Sequence, residues 1–133
     1  MKLENLKQFC EEHGIELIVL FGSIASGRSH PASDADIAVK LGPGADLSKL
    51  DLVYEFNDLY PARSIDLVCL TQNTDPLLLY QIFSMGQLLY EKNPGAFVGE
   101  KLRAWKLYID TQKLRRMQNS YLNRFLKQIN HVT

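Results

Sequence analysis

The chain has 133 residues, 46% hydrophobic and 23% charged, with 15 Lys and Arg against 15 Asp and Glu. These are the proportions of a single globular domain with a buried core, and they exclude a disordered chain. The zero net charge hides an asymmetry: residues 1–98 hold 7 basic and 13 acidic side chains, a net of −6, while residues 99–133 hold 8 and 2, a net of +6.

In chain order, Lys2–His13 places Leu3, Leu6, Phe9 and Cys10 at helical spacing, and Gly14 follows as a stop. Ile15–Phe21 is apolar and β-branched, a buried strand. Gly22-Ser23 ends it, and Ser23–Gly27 has room for one helical turn. Arg28–Ser33, with Pro31, is a loop. Asp34–Leu41 alternates, with Asp34, Asp36 and Ala38 on one face and Ile37, Val39 and Leu41 on the other. After the Gly42-Pro43-Gly44 turn, Asp46 is expected to cap a helix carrying Leu47, Leu50, Val53 and Tyr54, which Pro61 ends.

Ser64–Leu70 is the next strand, with Ile65, Leu67 and Cys69 opposite Asp66, Val68 and Leu70. Asp75-Pro76 reads as an N-cap and first helical position, opening a helix to about Met85 that Gly86 stops. Gln87–Glu91 is a short strand. Asn93-Pro94 then leads into a long helix from roughly Phe97 to Asn130, with Trp105 as an expected packing anchor, within the domain or against a partner. The order predicts one α/β domain, a core over residues 1–92 with a helical extension over 93–133 that packs on the core or on a partner.

The longest apolar run, Leu17–Phe21, is about five residues, against roughly 20 for a membrane span. Met1–His13 is too charged for a signal peptide. Cys10 and Cys69 are too few for a disulfide framework, and His13, His30 and His131 share no ligand spacing. The expectation is a cytoplasmic protein without a membrane partner. No P-loop and no G-x-S-x-G elbow is present.

Three carboxylates stand where strands are normally apolar. Asp34 and Asp36, two apart on a strand, project from one face, and such neighbours repel unless a cation lies between them. Asp66 interrupts a second apolar strand, where an unpaired carboxylate is costly. If the strands are neighbours, the three converge on one or two divalent cations, and an all-oxygen donor set suits Mg²⁺ or Mn²⁺. Gly22-Ser23, at a strand-to-helix junction, offers backbone N–H groups and a hydroxyl to a phosphate. Each piece alone has a plainer reading: a turn at Gly22-Ser23, a cap at Asp34, an edge-strand polar residue at Asp36, an ion pair of Asp66 with Arg63 or Lys40. Their joint occurrence in this order points to metal-assisted nucleotide chemistry.

Gly22-Ser23, ten residues, then Asp34-Ala35-Asp36, with Asp66 on a later strand, resembles the nucleotidyltransferase superfamily of DNA polymerase β. The short spacer and small size are similar to the minimal nucleotidyltransferases, the MntA-type antitoxins paired with HEPN-domain toxins. The resemblance covers about residues 1–90. It implies a polymerase β-like fold, a small mixed sheet flanked by helices with a long C-terminal helix. It implies that Gly22 and Ser23 hold the triphosphate of ATP, that Asp34 and Asp36 bind two Mg²⁺ ions, and that Asp66 completes the metal shell and helps deprotonate the acceptor hydroxyl. AMP would then pass to a toxin tyrosine with release of pyrophosphate.

Many members carry an arginine shortly after Gly-Ser, where this chain has Ser26; Arg28 is near enough to supply the phosphate contact. The alternative is an antitoxin of weak catalysis that neutralises its toxin by binding alone. The basic, apolar-striped last helix is expected to dock a partner or a second copy. Direct nucleic-acid binding is not expected.

Overall fold

The structure, a computed structural model, describes residues 3–27 and 33–132. Four strands form one mixed sheet between two helical layers. The order along the chain is α1 (Leu3–His13), β1 (Ile15–Phe21), α2 (Gly22–Ala25), β2 (Ala35–Leu41), α3 (Lys49–Leu59), β3 (Ile65–Cys69), α4 (Pro76–Met85), β4 (Gln87–Glu91) and α5 (Ala96–Val132). The sheet order is β3-β2-β1-β4. β1 runs antiparallel to β2 and β4, while β2 and β3 are parallel, joined through α3.

Strand alternation sorts the core into two halves. Ile18 and Leu20 of β1, Ile37 and Val39 of β2 and Leu67 of β3 meet Leu6 and Cys10 of α1 and Leu52 and Phe56 of α3. Leu17, Val19 and Ala38 meet Leu79, Ile82 and Phe83 of α4 and Ala104 of α5 on the other face. Ile15 and Leu17 belong to opposite halves although they are two apart, because a register irregularity between them shifts the alternation by one residue. Of the two cysteines, both free, Cys10 is buried and Cys69 exposed.

The helix caps correct two sequence expectations. Asp46 does not cap α3: Ser48 does, its hydroxyl accepting from the Asp51 N–H while the Asp51 carboxylate accepts from the Ser48 N–H. Asp75 occupies the N-cap position of α4 but makes no side-chain cap hydrogen bond; Pro76 sets the first turn there. The start of α5 is capped from the preceding strand, since the Glu91 carboxylate accepts from the N–H groups of Gly95 (3.2 Å) and Phe97 (2.9 Å). α5 is also tied to the sheet by Lys40 on β2, whose ammonium lies 3.1 Å from Glu100 and 3.7 Å from Glu16. Trp105 is not a core anchor: it is 56% exposed on the outer side of α5. Among the described residues, no helix is long and apolar enough to cross a membrane.

Candidate functional site

Parallel pairing of β2 with β3 aligns Asp36 with Asp66, one residue beyond the pair Ala35 and Ile65. Both aspartates share the sheet face of Ala38 and Val68, the α4/α5 side, as the two-residue period requires. Their carboxyl groups lie close enough for Asp66 to act on Asp36. Burial pushes the Asp36 carboxyl above its ordinary value of 3.8, and the charge and hydrogen bond of Asp66 and the charge of Asp34 push it further. A cation placed between the two carboxyls would relieve this repulsion.

Asp34 lies exposed just before β2 begins, close enough to act electrostatically on Asp36. Its strand entrance is fixed by Arg63, whose guanidinium donates to the Ser33 carbonyl at 2.9 Å. From local spacing Arg63 is a candidate partner for Asp66 only, and this positioning bond is not visible there. The signal was a lone cation directly before β3. Lys40, the other partner considered for Asp66, is engaged with Glu100 and Glu16. Among the described residues, no ion pair of Asp66 is found.

Gly22 closes the other side of the site. Phe21 at the end of β1 pairs with Asp36 across the sheet, so Gly22 follows directly above the carboxylate. Its φ of +75° is a left-handed conformation that glycine alone adopts freely, and a Cβ here would collide with Asp36 Oδ2. The backbone thus approaches the carboxyl pair as closely as a glycine permits. Ser23 follows in α2, half-buried, and its carbonyl accepts from the Ser26 hydroxyl at 3.2 Å. Ser26, where many proteins with this signature carry an arginine, is therefore turned back on its own helical turn. Arg28, expected to contact phosphate in its place, lies outside the described residues.

The donor set, two adjoining carboxylates and a third at the strand entrance, suits a hard divalent cation. Among the described residues no three His, Cys, Asp or Glu side chains are gathered tightly enough to form a metal cluster. Asp36 and Asp66 are brought together; Asp34 stands further out. A separate polar cavity of about 370 Å³, lined by Lys40, Thr71, Gln72, Glu100 and Arg103, opens at the far end of β2 and β3. Its charged groups pair with one another, Arg103 with Glu100 at 3.4 Å. Among the tyrosines, Tyr80 stacks on Tyr108 with centroids 4.1 Å apart, Tyr60 packs against the α1/α3 core, and Tyr54 faces solvent.

The profile of the family described as Polymerase beta, Nucleotidyltransferase matches residues 4–95. No curated protein matches the sequence. Among solved structures, a toxin–antitoxin with AMP-PNP is 21% identical over 95% of this chain and 99% of its own, with a TM-score of 0.67. The MNT antitoxin complex with tri-AMPylated Shewanella oneidensis HEPN toxin is 19% identical over 93% and 95%, with a TM-score of 0.60. An MntA-HepT toxin–antitoxin gives 19%, 93% and 96%, also with 0.60. At such identities the likeness is one of fold.

Proposed function

The chain belongs to the polymerase β nucleotidyltransferase family, and from that premise we propose that it is the antitoxin of a toxin–antitoxin pair, transferring AMP from ATP to a tyrosine of a HEPN-domain toxin. The observation that carries this reading is the Asp36–Asp66 carboxyl pair directly beneath the Gly22 backbone. Neighbours of the same fold are toxin–antitoxin structures, one with AMP-PNP and one with an AMPylated toxin, which is further support for the acceptor class.

In this reading Asp34, Asp36 and Asp66 hold Mg²⁺, two ions when fully loaded. Gly22 and Ser23, with Arg28, receive the triphosphate. A metal held there would neutralise phosphate charge and lower the pKa of the acceptor hydroxyl. The protein's own contribution is positioning: a fixed strand register, an Arg63-anchored loop and a side-chain-free backbone beside the reacting phosphate. The acceptor oxygen forms a bond to the α-phosphorus as the α–β anhydride bond breaks, pyrophosphate leaves, and the acceptor proton passes to the Asp66 carboxylate.

The test is incubation of labelled ATP, Mg²⁺ and the toxin with wild type and with Asp34→Ala/Asp36→Ala. Label on the toxin with wild type alone supports transfer. A second reading, neutralisation by binding with weak catalysis, is favoured by the broad apolar surface of α5. Equal neutralisation by both proteins, without label, would establish it instead.

A further inference from the structure

The three carboxylates of the site are not held alike. Asp36 and Asp66 sit inside the parallel ladder, where the pairing of β2 with β3 sets them opposite each other. Asp34 is exposed and lies one residue before β2, outside the paired residues. A carboxylate there keeps one direction only if its backbone is held by something other than the ladder.

Two consecutive residues at the entrance of β3 supply that hold. The Ser64 carbonyl accepts from the Ala35 N–H at 2.8 Å, and the Arg63 guanidinium donates to the Ser33 carbonyl at 2.9 Å. Asp34 is therefore flanked by a fixed backbone group on each side. Ser33 is buried, a setting in which a carbonyl that loses its donor gains little from water. The corner that delivers Arg63 is set from outside as well. α3 ends at Leu59, the Tyr60 carbonyl accepts from the Arg63 N–H at 3.4 Å, and Ala62 between them has a φ of +66°. Among the described residues Ala62 is the one residue other than glycine with a positive φ. A side chain disfavours that left-handed conformation, so the surrounding contacts impose this turn against local preference.

We propose that Arg63 is a positioning residue for nucleotidyl transfer: by holding the Ser33 carbonyl it keeps the Asp34 carboxylate beside the Asp36–Asp66 pair, and so sets the affinity of the site for a divalent cation. The inference rests on the reading in which these three carboxylates hold Mg²⁺. It adds a residue that acts through a backbone carbonyl rather than by ligation.

The sign of the effect separates this role from the alternatives. A guanidinium near a cation site repels the cation, so charge alone predicts that removing Arg63 tightens metal binding. Positioning predicts the reverse. General support of the fold predicts a loss that is independent of Asp34, whereas positioning acts through Asp34 and vanishes with its carboxylate.

The test titrates the full chain with Mn²⁺ alone, bound ion being read by water-proton relaxation, beside the Mg²⁺ dependence of AMP transfer to the toxin. Arg63→Met is expected to weaken Mn²⁺ binding by about 10-fold, the low end of what removing a hydrogen-bonded partner behind a metal ligand costs. Arg63→Lys keeps the charge but not the planar fork, and a loss of about 3-fold is expected. In an Asp34→Asn background neither substitution should change Mn²⁺ affinity further. In transfer, Arg63→Met should raise the Mg²⁺ concentration at half-maximal rate by about 10-fold, with the rate at saturating Mg²⁺ within about 2-fold of wild type.

Unchanged or tighter Mn²⁺ binding in Arg63→Met would overturn the proposal, as would an equal loss with and without the Asp34 carboxylate, or a wild type that takes up no Mn²⁺. Should circular dichroism show Arg63→Met unfolded, Arg63→Lys decides in its place, and wild-type Mn²⁺ affinity there would overturn the proposal. The expected Mn²⁺ pattern with no label transferred by wild type would keep the role of Arg63 and sink the transfer reading. Label transferred by wild type with Mn²⁺ affinity indifferent to Arg63 would do the opposite.

Discussion

Asp36 carries opposing demands. Burial and two neighbouring carboxylates raise its proton affinity, so the folded state holds a proton over a window starting near the ordinary value of 3.8, where the unfolded chain has released it. The folded state binds more protons there, and stability without divalent cations is expected to fall as pH rises through that window. Asp36→Asn removes the slope. Denaturant unfolding in chelator from about pH 4 to 7 checks this, and parallel pH profiles for the two proteins would count against it.

Gly22 makes a sharper test of the site's geometry. Its φ and its contact with Asp36 both oppose a side chain, so Gly22→Ala should cost about 2 kcal/mol or more of stability and abolish AMP transfer. Melting curves and label transfer measure the two effects; a variant as active as wild type would show that the close approach is dispensable.

At the scale of elements, most strands and helices were legible because each pattern has one physical reading: two-residue alternation in β2, a β-branched run in β1, Gly86 stopping α4. Caps were less legible. Asp46 and Ser48 are both competent N-cap residues, and which one is used depends on where α3 must start to bury Leu52 and Phe56. Ser48→Ala is expected to destabilise the protein by about 1 kcal/mol through loss of the reciprocal cap, leaving transfer unchanged because α3 lies on the sheet face away from the carboxyl pair. Urea titration reads the first effect, and a change in transfer rate would contradict the second. Glu91 escaped notice altogether, since a strand residue capping the next helix leaves no short-range motif.

For the whole molecule, the first half of α5 belongs to the core and the second half does not. A chain ending at Gln112 is expected to melt within about 2 °C of the full chain, because from Lys113 to Asn130 every side chain is exposed except Arg115, whose contacts stay within α5; a larger drop in a calorimetric scan would show that the distal half stabilises the domain. The sequence by itself determined the element order, the faces of β2 and β3, the candidate carboxylates and the charge split, since all of these follow from local periodicity and residue chemistry. Tertiary structure alone decided that β2 and β3 are parallel neighbours with Asp36 opposite Asp66, that Gly22 closes over them, and that Trp105 faces solvent. Strand partners, register and the covered side of a helix are set by contacts between residues far apart in the chain, and no local spacing encodes them.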